Sequence, residues 1–399
     1  MPRLESLADR GAQGARTDDG LAPPKPDNLL PPWSVPLAYA AFLCMPSFQS
    51  LPEMKIGLVG FAGSGKTTVF NAMTGMDVPV GFGGEVRMGI VQVPDERIDT
   101  LSAVFSPKKT TFAEMSFCDV PGEHGGGHRS LSRGGLHRIR EQEALCLVLR
   151  DFANPAVEGD PDPLGDLDAF HGECVLADLE IAENRLERAR KERANPLEIA
   201  AFELVQATLE DEAPLRSVPE ADLDRDLIKG YSFLTDRPLL VAVNCSEDRA
   251  AKPMPEALAA RIAELSAAGL TLSASVESEI SGLDAADQAD FLDDLGLQES
   301  ALTRFIRAAY SLVDLISFFT VGPDEVRAWT IRRGTPARPA AGKIHSDLER
   351  GFIRAEVTPF EVFMEYGSEG AVKDAGKLQV EGKEYVVSDG DIMHVRFNV

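Results

Sequence analysis

Short apolar runs separated by amphipathic or glycine-rich segments fill most of the chain after residue 53. Apolar and β-branched runs of about four to eight residues are typical of strands, and continuous runs are typical of strands buried on both faces of a parallel sheet. The pattern predicts an α/β fold, a mostly parallel sheet with helices on both faces. The predicted strands are Ile56–Val59, Met88–Val93, Thr111–Val120, Ala144–Leu149, Pro238–Val243 and Leu270–Ser275, and helices are predicted from there to about Leu315.

A segment of helical periodicity interrupts this pattern. Its apolar residues recur three and four positions apart, and Asn195-Pro196 divides it into two helices. We therefore predict a helical hairpin over residues 164–235, inserted into a nucleotide domain that comprises residues 54–163 and 236–315. The apolar positions are Leu176, Leu179, Ala182, Leu186 and Ala189 in the first helix and Ile199, Phe202, Val205 and Leu209 in the second.

Both ends of the chain differ from this middle part. Residues 316–399 show short strands and turns, which predict a separate small α+β module of the ubiquitin-like, β-grasp type. Its predicted strands are Glu325–Ile331, Phe352–Val357, Lys377–Val380 and Ile392–Phe397, with a helix over His345–Arg350. Residues 1–53 are rich in Pro, Ala and Gly without sustained periodicity, so we expect a disordered or over-called extension before a native start at Met54.

The loop after the first strand carries the clearest chemical motif. It fits G-x-x-x-x-G-K-[ST], with Gly60, Gly65, Lys66 and Thr67 at the fixed positions. This spacing lets consecutive backbone N–H groups surround a phosphate at a helix N-terminus. Lys66 can then reach the β- and γ-phosphates, and the Thr67 hydroxyl can ligate Mg²⁺. The motif predicts a nucleoside triphosphate site.

A D-x-x-G sequence, Asp119 to Gly122, ends a later predicted strand. In this position the Asp holds Mg²⁺ and the Gly N–H senses the γ-phosphate. The glycine-rich segment after it is predicted to be a mobile switch loop. Its Glu123 or His124 is a speculative candidate for orienting the attacking water, because no other side chain is a clear general base.

The predicted strand that ends at Val243 leads into Asn244-Cys245-Ser246-Glu247. GTPases have N-K-x-D here, and its Asp accepts two hydrogen bonds from guanine. Glu247 adds a methylene and Cys245 replaces the Lys, which disfavours guanine because mismatched buried polar groups are costly. We therefore predict that ATP is preferred, with a GTP preference as the alternative. Two later residues, Ser273 and Ala274, occupy the position of a loop that supports the base.

The composition limits the partners. The net charge is −24 and the pI is near 4.7, so a general nucleic-acid or membrane-surface binder is disfavoured. Contact with RNA requires local basic patches, for which Arg185–Arg193 and Arg327–Arg338 are candidates; the first is otherwise a solvated helix face. Five scattered cysteines without metal-ligand spacing indicate reduced thiols in a cytoplasmic protein.

On these motifs the chain from Met54 to Val399 resembles the Obg-like ATPase (YchF) family of translation-factor-class P-loop NTPases. The similarity is strongest over Val326–Val357 and Gly382–Val399, which resemble the TGS domain that ends family members, over Leu295–Thr320, and in the N-x-x-E motif. The resemblance implies Mg²⁺-dependent ATP hydrolysis and association with the large ribosomal subunit. It assigns Gly60, Gly63, Ser64, Gly65, Lys66, Thr67 and Thr68 to the phosphate loop, Asp119 and Gly122 to the second switch, and Asn244 and Glu247 to base recognition.

Two departures from the family pattern bear on catalysis. The first-switch segment Val80–Gly89 contains no Thr, although the family has one there that completes Mg²⁺ coordination. Glu123 replaces a hydrophobic residue after D-x-x-G. The leading hypothesis is a slow ATPase that acts as a molecular switch, with Lys66 and the Gly122 N–H at the γ-phosphate. The alternative is a nucleotide-gated ribosome or RNA adaptor with little hydrolysis.

Overall fold

The computed structural model describes residues 55–79, 84–122 and 130–398. The chain divides into two units, Met1–Gln49 and Ser50–Val399, and every described residue belongs to the second unit. The predicted N-terminal extension and native start at Met54 therefore lie outside the described residues. So do Glu123 and His124, and the first part of the first-switch segment.

The order of elements follows the predicted alternation of strands and helices. The strands are β1 Lys55–Val59, β2 Arg87–Gln92, β3 Lys109–Thr111, β4 Glu114–Asp119, β5 Ala144–Asp151, β6 Leu239–Cys245, β7 Ala268–Leu272, β8 Leu315–Thr320, β9 Glu325–Arg332, β10 Phe352–Pro359, β11 Gln379–Glu381 and β12 Asp391–Phe397. The α-helices are α1 Lys66–Thr74, α2 Glu96–Phe105, α3 Arg133–Arg140, α4 Pro163–Glu192, α5 Pro196–Glu210, α6 Glu256–Glu264, α7 Ala274–Ser281, α8 Ala285–Asp294, α9 Ala301–Leu312, α10 Ala337–Ile344, α11 Ser346–Arg350, α12 Phe360–Tyr366 and α13 Glu369–Asp374.

The first sheet has the strand order β2-β4-β1-β5-β6-β7. All its pairs are parallel except β2 with β4. Every residue of the central strand β5 is buried, as expected for a strand covered on both faces. The predicted α/β fold is thus confirmed. Because β1, β4 and β6 are parallel, the loops after them meet at one edge of the sheet.

The two faces of this sheet form separate cores. On one face Ile56 and Val69 pack with Phe305 of α9, and on the other face Val59 packs with Leu167 and Phe170 of α4. The long helix α4 therefore begins on the sheet and then leaves it. Farther along α4, Val175, Ala182 and Leu186 pack against α5 in a third core, with Phe202 and Val205. This arrangement agrees with an inserted hairpin, although the boundary at residue 164 stays a prediction.

The second sheet has the order β11-β10-β12-β8-β9-β3. One face packs on the short helices α10 and α11, through Ala340, Ala341 and Leu348, among others. The opposite face contributes Phe319 and Val326 to the core shared with α9. The C-terminal α+β module is therefore packed directly on the nucleotide domain, not attached by a flexible linker.

Three details of the predicted strands are corrected. Thr111–Val120 is not one strand, because its start belongs to β3, which pairs with β9 in the second sheet, and the rest is β4 in the first. The last core strand ends at Leu272 rather than Ser275, since α7 begins at Ala274. The pattern does not predict strand β8, which begins at Leu315, close to the predicted end of the helices. Each correction reflects pairing with a distant strand or helix, which local patterns do not encode.

The side chain of Asp178 joins α4 to the nucleotide domain. It is fully buried and accepts hydrogen bonds from Arg140 Nη2 at 2.9 Å, from Thr235 N at 2.8 Å and from Thr235 Oγ1 at 2.9 Å. Arg140 also donates to the carbonyl of Ala177 at 3.0 Å. A buried carboxylate with this set of donors holds α3, α4 and the segment before β6 together.

Asp178→Ala is expected to lower the free energy of unfolding by about 3–5 kcal/mol, because it leaves the Thr235 N–H and hydroxyl buried without an acceptor and removes the carboxylate that compensates the partly buried Arg140 guanidinium. Denaturant unfolding monitored by circular dichroism measures the loss. Asp168→Ala on the same helix is the matched control: Asp168 is half exposed and pairs with Arg261, so we expect a change within about 1 kcal/mol. Equal losses in the two variants would contradict the assignment.

Candidate functional site

The loop between β1 and α1 carries the motif that predicts a phosphate loop. Its glycines Gly60, Gly63 and Gly65 have φ angles of 137°, 77° and 91°, a region that side-chain-bearing residues rarely adopt. These conformations turn the chain sharply from the end of β1 into the helix that begins at Lys66. The loop therefore ends at a helix N-terminus, where free N–H groups and the helix dipole favour an anion.

The side chain of Lys66 lies inside this loop. It is only 6% exposed, and its Nζ donates to the carbonyl oxygens of Gly60 and Phe61, each at 3.0 Å. Burial lowers the pKa of Lys66 to about 8, and the nearby charge of Asp119 raises it in part. A desolvated ammonium held by two neutral carbonyls is well placed to bind a stronger acceptor such as a phosphate oxygen.

Thr67 and Asp119 meet beside Lys66, as the two motifs require. Thr67 Oγ1 donates to Asp119 Oδ2 at 2.8 Å. The other carboxylate oxygen, Asp119 Oδ1, is buried and has no hydrogen-bond partner among the described residues. Because oxygen atoms are the ligands that Mg²⁺ prefers, a hydroxyl beside a carboxylate with an unused buried oxygen fits a hydrated magnesium ion.

Gly122 brings the second motif against the phosphate loop. A Cβ atom on this residue would lie 2.8 Å from Lys66 Nζ and 3.1 Å from the backbone N of Ala62. Such contacts leave no space for a side chain, so glycine is required here on steric grounds. Of the speculative catalytic residues, Glu123 lies outside the described residues, and its orientation toward an attacking water stays a prediction.

Asn244 occupies a different environment from the one its motif suggests. Its side chain is only 3% exposed; Nδ2 donates to the Ser64 carbonyl and Oδ1 accepts from the backbone N–H of Ala274, both at 3.0 Å. These contacts join the phosphate loop to the start of α7. They show a bridging role for the amide, and direct recognition of a base stays a prediction.

Glu247 and Ser273 lie on the two sides of this bridge. Glu247 is exposed at the first position of a 3₁₀ turn over residues 247–249, and its carboxylate has no hydrogen bond or ion pair with another described residue. Ser273 is buried, with its Oγ 3.1 Å from the Oγ of Ser275. Cys245, which directly follows Asn244, is buried. Burial raises the pKa of its thiol to about 11, so the thiol remains protonated at neutral pH.

One part of the site was missed from the sequence, the loop over residues 152–162 between β5 and α4. At Gly63 a Cβ would lie 2.3 Å from Val157 Cγ2, so this loop packs directly on the phosphate loop. Arg150 of β5 is only 7% exposed and donates to the carbonyls of Phe152, Gly159 and Asp160. Two charged residues, Arg150 and Asp151, at the end of the otherwise apolar strand β5 were the available signal in the sequence.

Internal acidic partners occupy much of the two basic clusters. In the hairpin Arg185 pairs with Glu198 and Glu192, Arg190 with Glu203, and Lys191 with Glu187. In the C-terminal module Arg332 pairs with Glu143, Arg333 pairs with Asp314, and the guanidinium of Arg327 lies 4.0 Å from the ring centroid of Trp329. The clusters thus contain fewer uncompensated charges than the sequence suggested.

Two kinds of feature do not occur among the described residues, a cluster of metal ligands and a membrane-spanning helix. No group of three or more His, Cys, Asp or Glu side chains is arranged to hold a metal ion there. Across the same part of the chain no helix combines the length and the apolar character that crossing a membrane requires.

Comparison with known proteins places this geometry in a family. A family profile described as YchF-GTPase_C, protein of unknown function (DUF933), matches residues 315–398. The chain is similar to the ribosome-binding ATPase YchF of Bacillus subtilis, with 39% identity over 361 residues, 86% of this chain and 99% of that protein. It is also similar to Obg-like ATPase 1 of Oryza sativa, with 35% identity over 87% of this chain and 93% of that protein. The solved structure of the Schizosaccharomyces pombe YchF GTPase covers 88% of this chain and all of its own, with a TM-score of 0.76 and 30% identity. The chain therefore belongs to the YchF/Obg-like ATPase family.

Proposed function

We propose that this protein is a slow, Mg²⁺-dependent ATPase that acts as a nucleotide-controlled switch in the cytoplasm and associates with the ribosome through its large subunit. The observation that carries the proposal is the convergence of Lys66, Thr67 and Asp119 at the N-terminus of α1. Each of these side chains has the chemistry that a triphosphate and its metal ion need. The similarity to proteins named as ribosome-binding ATPases supports the ribosomal part.

Binding of the phosphates follows from the loop between β1 and α1. The backbone N–H groups of Gly63, Ser64 and Gly65, together with those of the first turn of α1, surround the α- and β-phosphates. Lys66 exchanges its two carbonyl acceptors for β- and γ-phosphate oxygens, which carry full negative charge. The exchange strengthens each hydrogen bond because a charged acceptor replaces a neutral one in a water-poor site.

The metal ion belongs beside Thr67 and Asp119. The Thr67 hydroxyl, released from Asp119 Oδ2, would be a direct ligand of the ion, and the Asp119 carboxylate would hold it through bound water. The ion would supply positive charge that neutralises the phosphates during hydrolysis. The Gly122 N–H is the group that reports the γ-phosphate, since no side chain separates it from Lys66.

Hydrolysis itself rests on positioning and charge, because phosphoryl transfer needs little covalent participation from the protein. The absence of a Thr between Val80 and Gly89 favours a second candidate, a nucleotide-gated adaptor that hydrolyses little. In that case ATP binding alone would control docking on the ribosome.

Single-turnover hydrolysis separates these two functions. Purified protein in excess over γ-labelled ATP and Mg²⁺ is followed with and without added ribosomes. Slow release of phosphate, accelerated by ribosomes, is the expected result, and Asp119→Ala is expected to remove it. No turnover in either condition would refute the ATPase and leave the adaptor.

Ribosome docking is tested by co-sedimentation, and equal binding to both isolated subunits would contradict the assignment to the large one.

The affinity for ATP is expected to fall as pH rises through 8. The free protein has a Lys66 pKa of about 8, and bound phosphates raise this pKa. The charged ammonium therefore contributes fully to ATP affinity below pH 8, and its contribution is lost progressively above pH 8. Protonation must therefore accompany binding at about pH 9. Calorimetric titrations with ATP in two buffers of different ionisation enthalpy measure this proton uptake.

Lys66→Ala provides the control for the pH effect. The variant is expected to lose tight ATP binding, because Lys66 is the cation that lies inside the loop among the described residues. An unchanged affinity in Lys66→Ala would contradict the assignment of the phosphate loop. An absence of proton uptake by the wild-type protein at high pH would contradict the role of the buried ammonium.

The base preference is assigned to Glu247. We expect the wild-type protein to bind ATP more tightly than GTP, and Glu247→Asp to raise GTP affinity relative to ATP by roughly three- to tenfold, since it restores the carboxylate position that accepts two guanine hydrogen bonds. Competition between the two nucleotides measures the ratio. Asp248→Ala, on the neighbouring exposed carboxylate, serves as the control. Tighter GTP binding by the wild type would refute the adenine preference.

A further inference from the structure

The side-chain amide of Asn154 contacts the phosphate loop from outside. Its Nδ2 donates to the carbonyl oxygen of Gly63 at 3.1 Å, and its Oδ1 accepts from the backbone N–H of Ala156 at 3.0 Å. Asn154 belongs to none of the nucleotide motifs. We propose that it is a positioning residue, which keeps the loop in the shape that binds the β-phosphate. This inference rests on the proposed nucleotide binding.

The reason lies in the planarity of the peptide unit. The C=O of one residue and the N–H of the next point in opposite directions. When Asn154 holds the Gly63 carbonyl on the outer side of the loop, the Ser64 N–H is directed to the inner side, where it donates to the carbonyl oxygen of Phe61 at 3.4 Å, an acceptor that it shares with Lys66. Asn244 acts in the same way one residue later, because it holds the Ser64 carbonyl at 3.0 Å and so directs the Gly65 N–H inward.

This restraint matters because glycine permits the alternative. Gly63 has a φ of 77°, and glycine also reaches other conformations at little cost. Rotation of the peptide after Gly63 would turn a carbonyl toward the phosphate, which repels it. No side chain of the loop itself prevents that rotation. The hydrogen bond that Asn154 donates to the Gly63 carbonyl, together with the contact of Val157 on Gly63, prevents that rotation.

The loop that carries Asn154 is itself held in place. Arg150 donates to the carbonyl oxygens of Phe152 at 3.3 Å and of Gly159 and Asp160 at 3.2 Å, so one buried guanidinium joins both ends of the segment. At the far end Asp162 accepts from the N–H of Gly165 at 3.0 Å and caps α4. Asn154 therefore extends toward the phosphate loop from a fixed frame.

A positioning role for Asn154 has a distinctive consequence for affinity. The N–H groups that it orients bind the α- and β-phosphates, which ADP and ATP share. Loss of its donor should therefore weaken ADP and ATP by the same factor. Loss of the Asp119 carboxylate should have a different effect. Because Asp119 acts through Mg²⁺, its loss should weaken the binding of ATP more than the binding of ADP.

The test is titration of the full chain with ADP and with ATP in the presence of Mg²⁺. Asn154→Ala removes both hydrogen bonds of the amide. Asn154→Ser keeps an acceptor for the Ala156 N–H, yet its hydroxyl is too short to reach Gly63. We expect both variants to bind ADP and ATP with roughly three- to tenfold lower affinity, the usual effect of one hydrogen bond. Asn184→Ala is the control, because that amide donates to the Glu180 carbonyl on the exposed side of α4.

The outcomes separate the possible failures. If the wild type binds nucleotide and both Asn154 variants bind it equally well, the positioning role is wrong and the proposed function stands. A loss seen only in Asn154→Ala would indicate a defect in the local turn, which Ser repairs, and a loss confined to ATP would place the effect at the metal; either result overturns the inference. If the wild type binds neither nucleotide, the proposed function fails and the inference with it.

Discussion

The burial of a charged ammonium at the end of a parallel sheet is the constraint on which the site depends. Lys66 lies at the start of α1, almost without contact with water. An ammonium in such a place needs acceptors, and the loop supplies two carbonyls in the state described here. Neutral carbonyls compensate only part of the lost hydration, as the lowered pKa of Lys66 shows. A ligand with concentrated negative charge would relieve the remainder, which agrees with the proposed binding of phosphate.

The surrounding fold keeps this arrangement rigid. The glycines of the loop allow the sharp turn and equally allow other turns, so restraints have to come from elsewhere. They come from Asn244 beyond β6 and from the segment between β5 and α4, which reach the loop from two directions. Because that segment continues into α4, the wall of the phosphate site and the helical hairpin are parts of one covalent path.

The C-terminal module is connected to the same body through its core. Strand β3, which lies between α2 and β4 in sequence, pairs with β9 and completes the second sheet. Arg97 at the start of α2 donates two hydrogen bonds to Asp389, at 3.0 and 3.1 Å, and lies over the ring of Phe319. These contacts argue for a module that moves together with the nucleotide domain. A structural change in that domain would then reach the module through packed side chains and not through a linker.

The sequence by itself determined the α/β class, the glycine-rich turn into α1, the D-x-x-G at the end of β4 and the helical periodicity of α4 and α5. The roles of these segments as phosphate loop, second switch and inserted hairpin stay predictions. These features depend on short-range chemistry: glycine where φ is positive, a lysine beside a threonine at a helix start, and apolar spacing that matches one helix face. The tertiary structure alone decided that Asn244 bridges two loops, that Asn154 contacts Gly63, that β3 belongs to the second sheet and that acidic partners occupy much of the basic clusters. Each of these depends on residues far apart in the chain, and their pairing arises from how the sheets and helices pack, which no local pattern encodes.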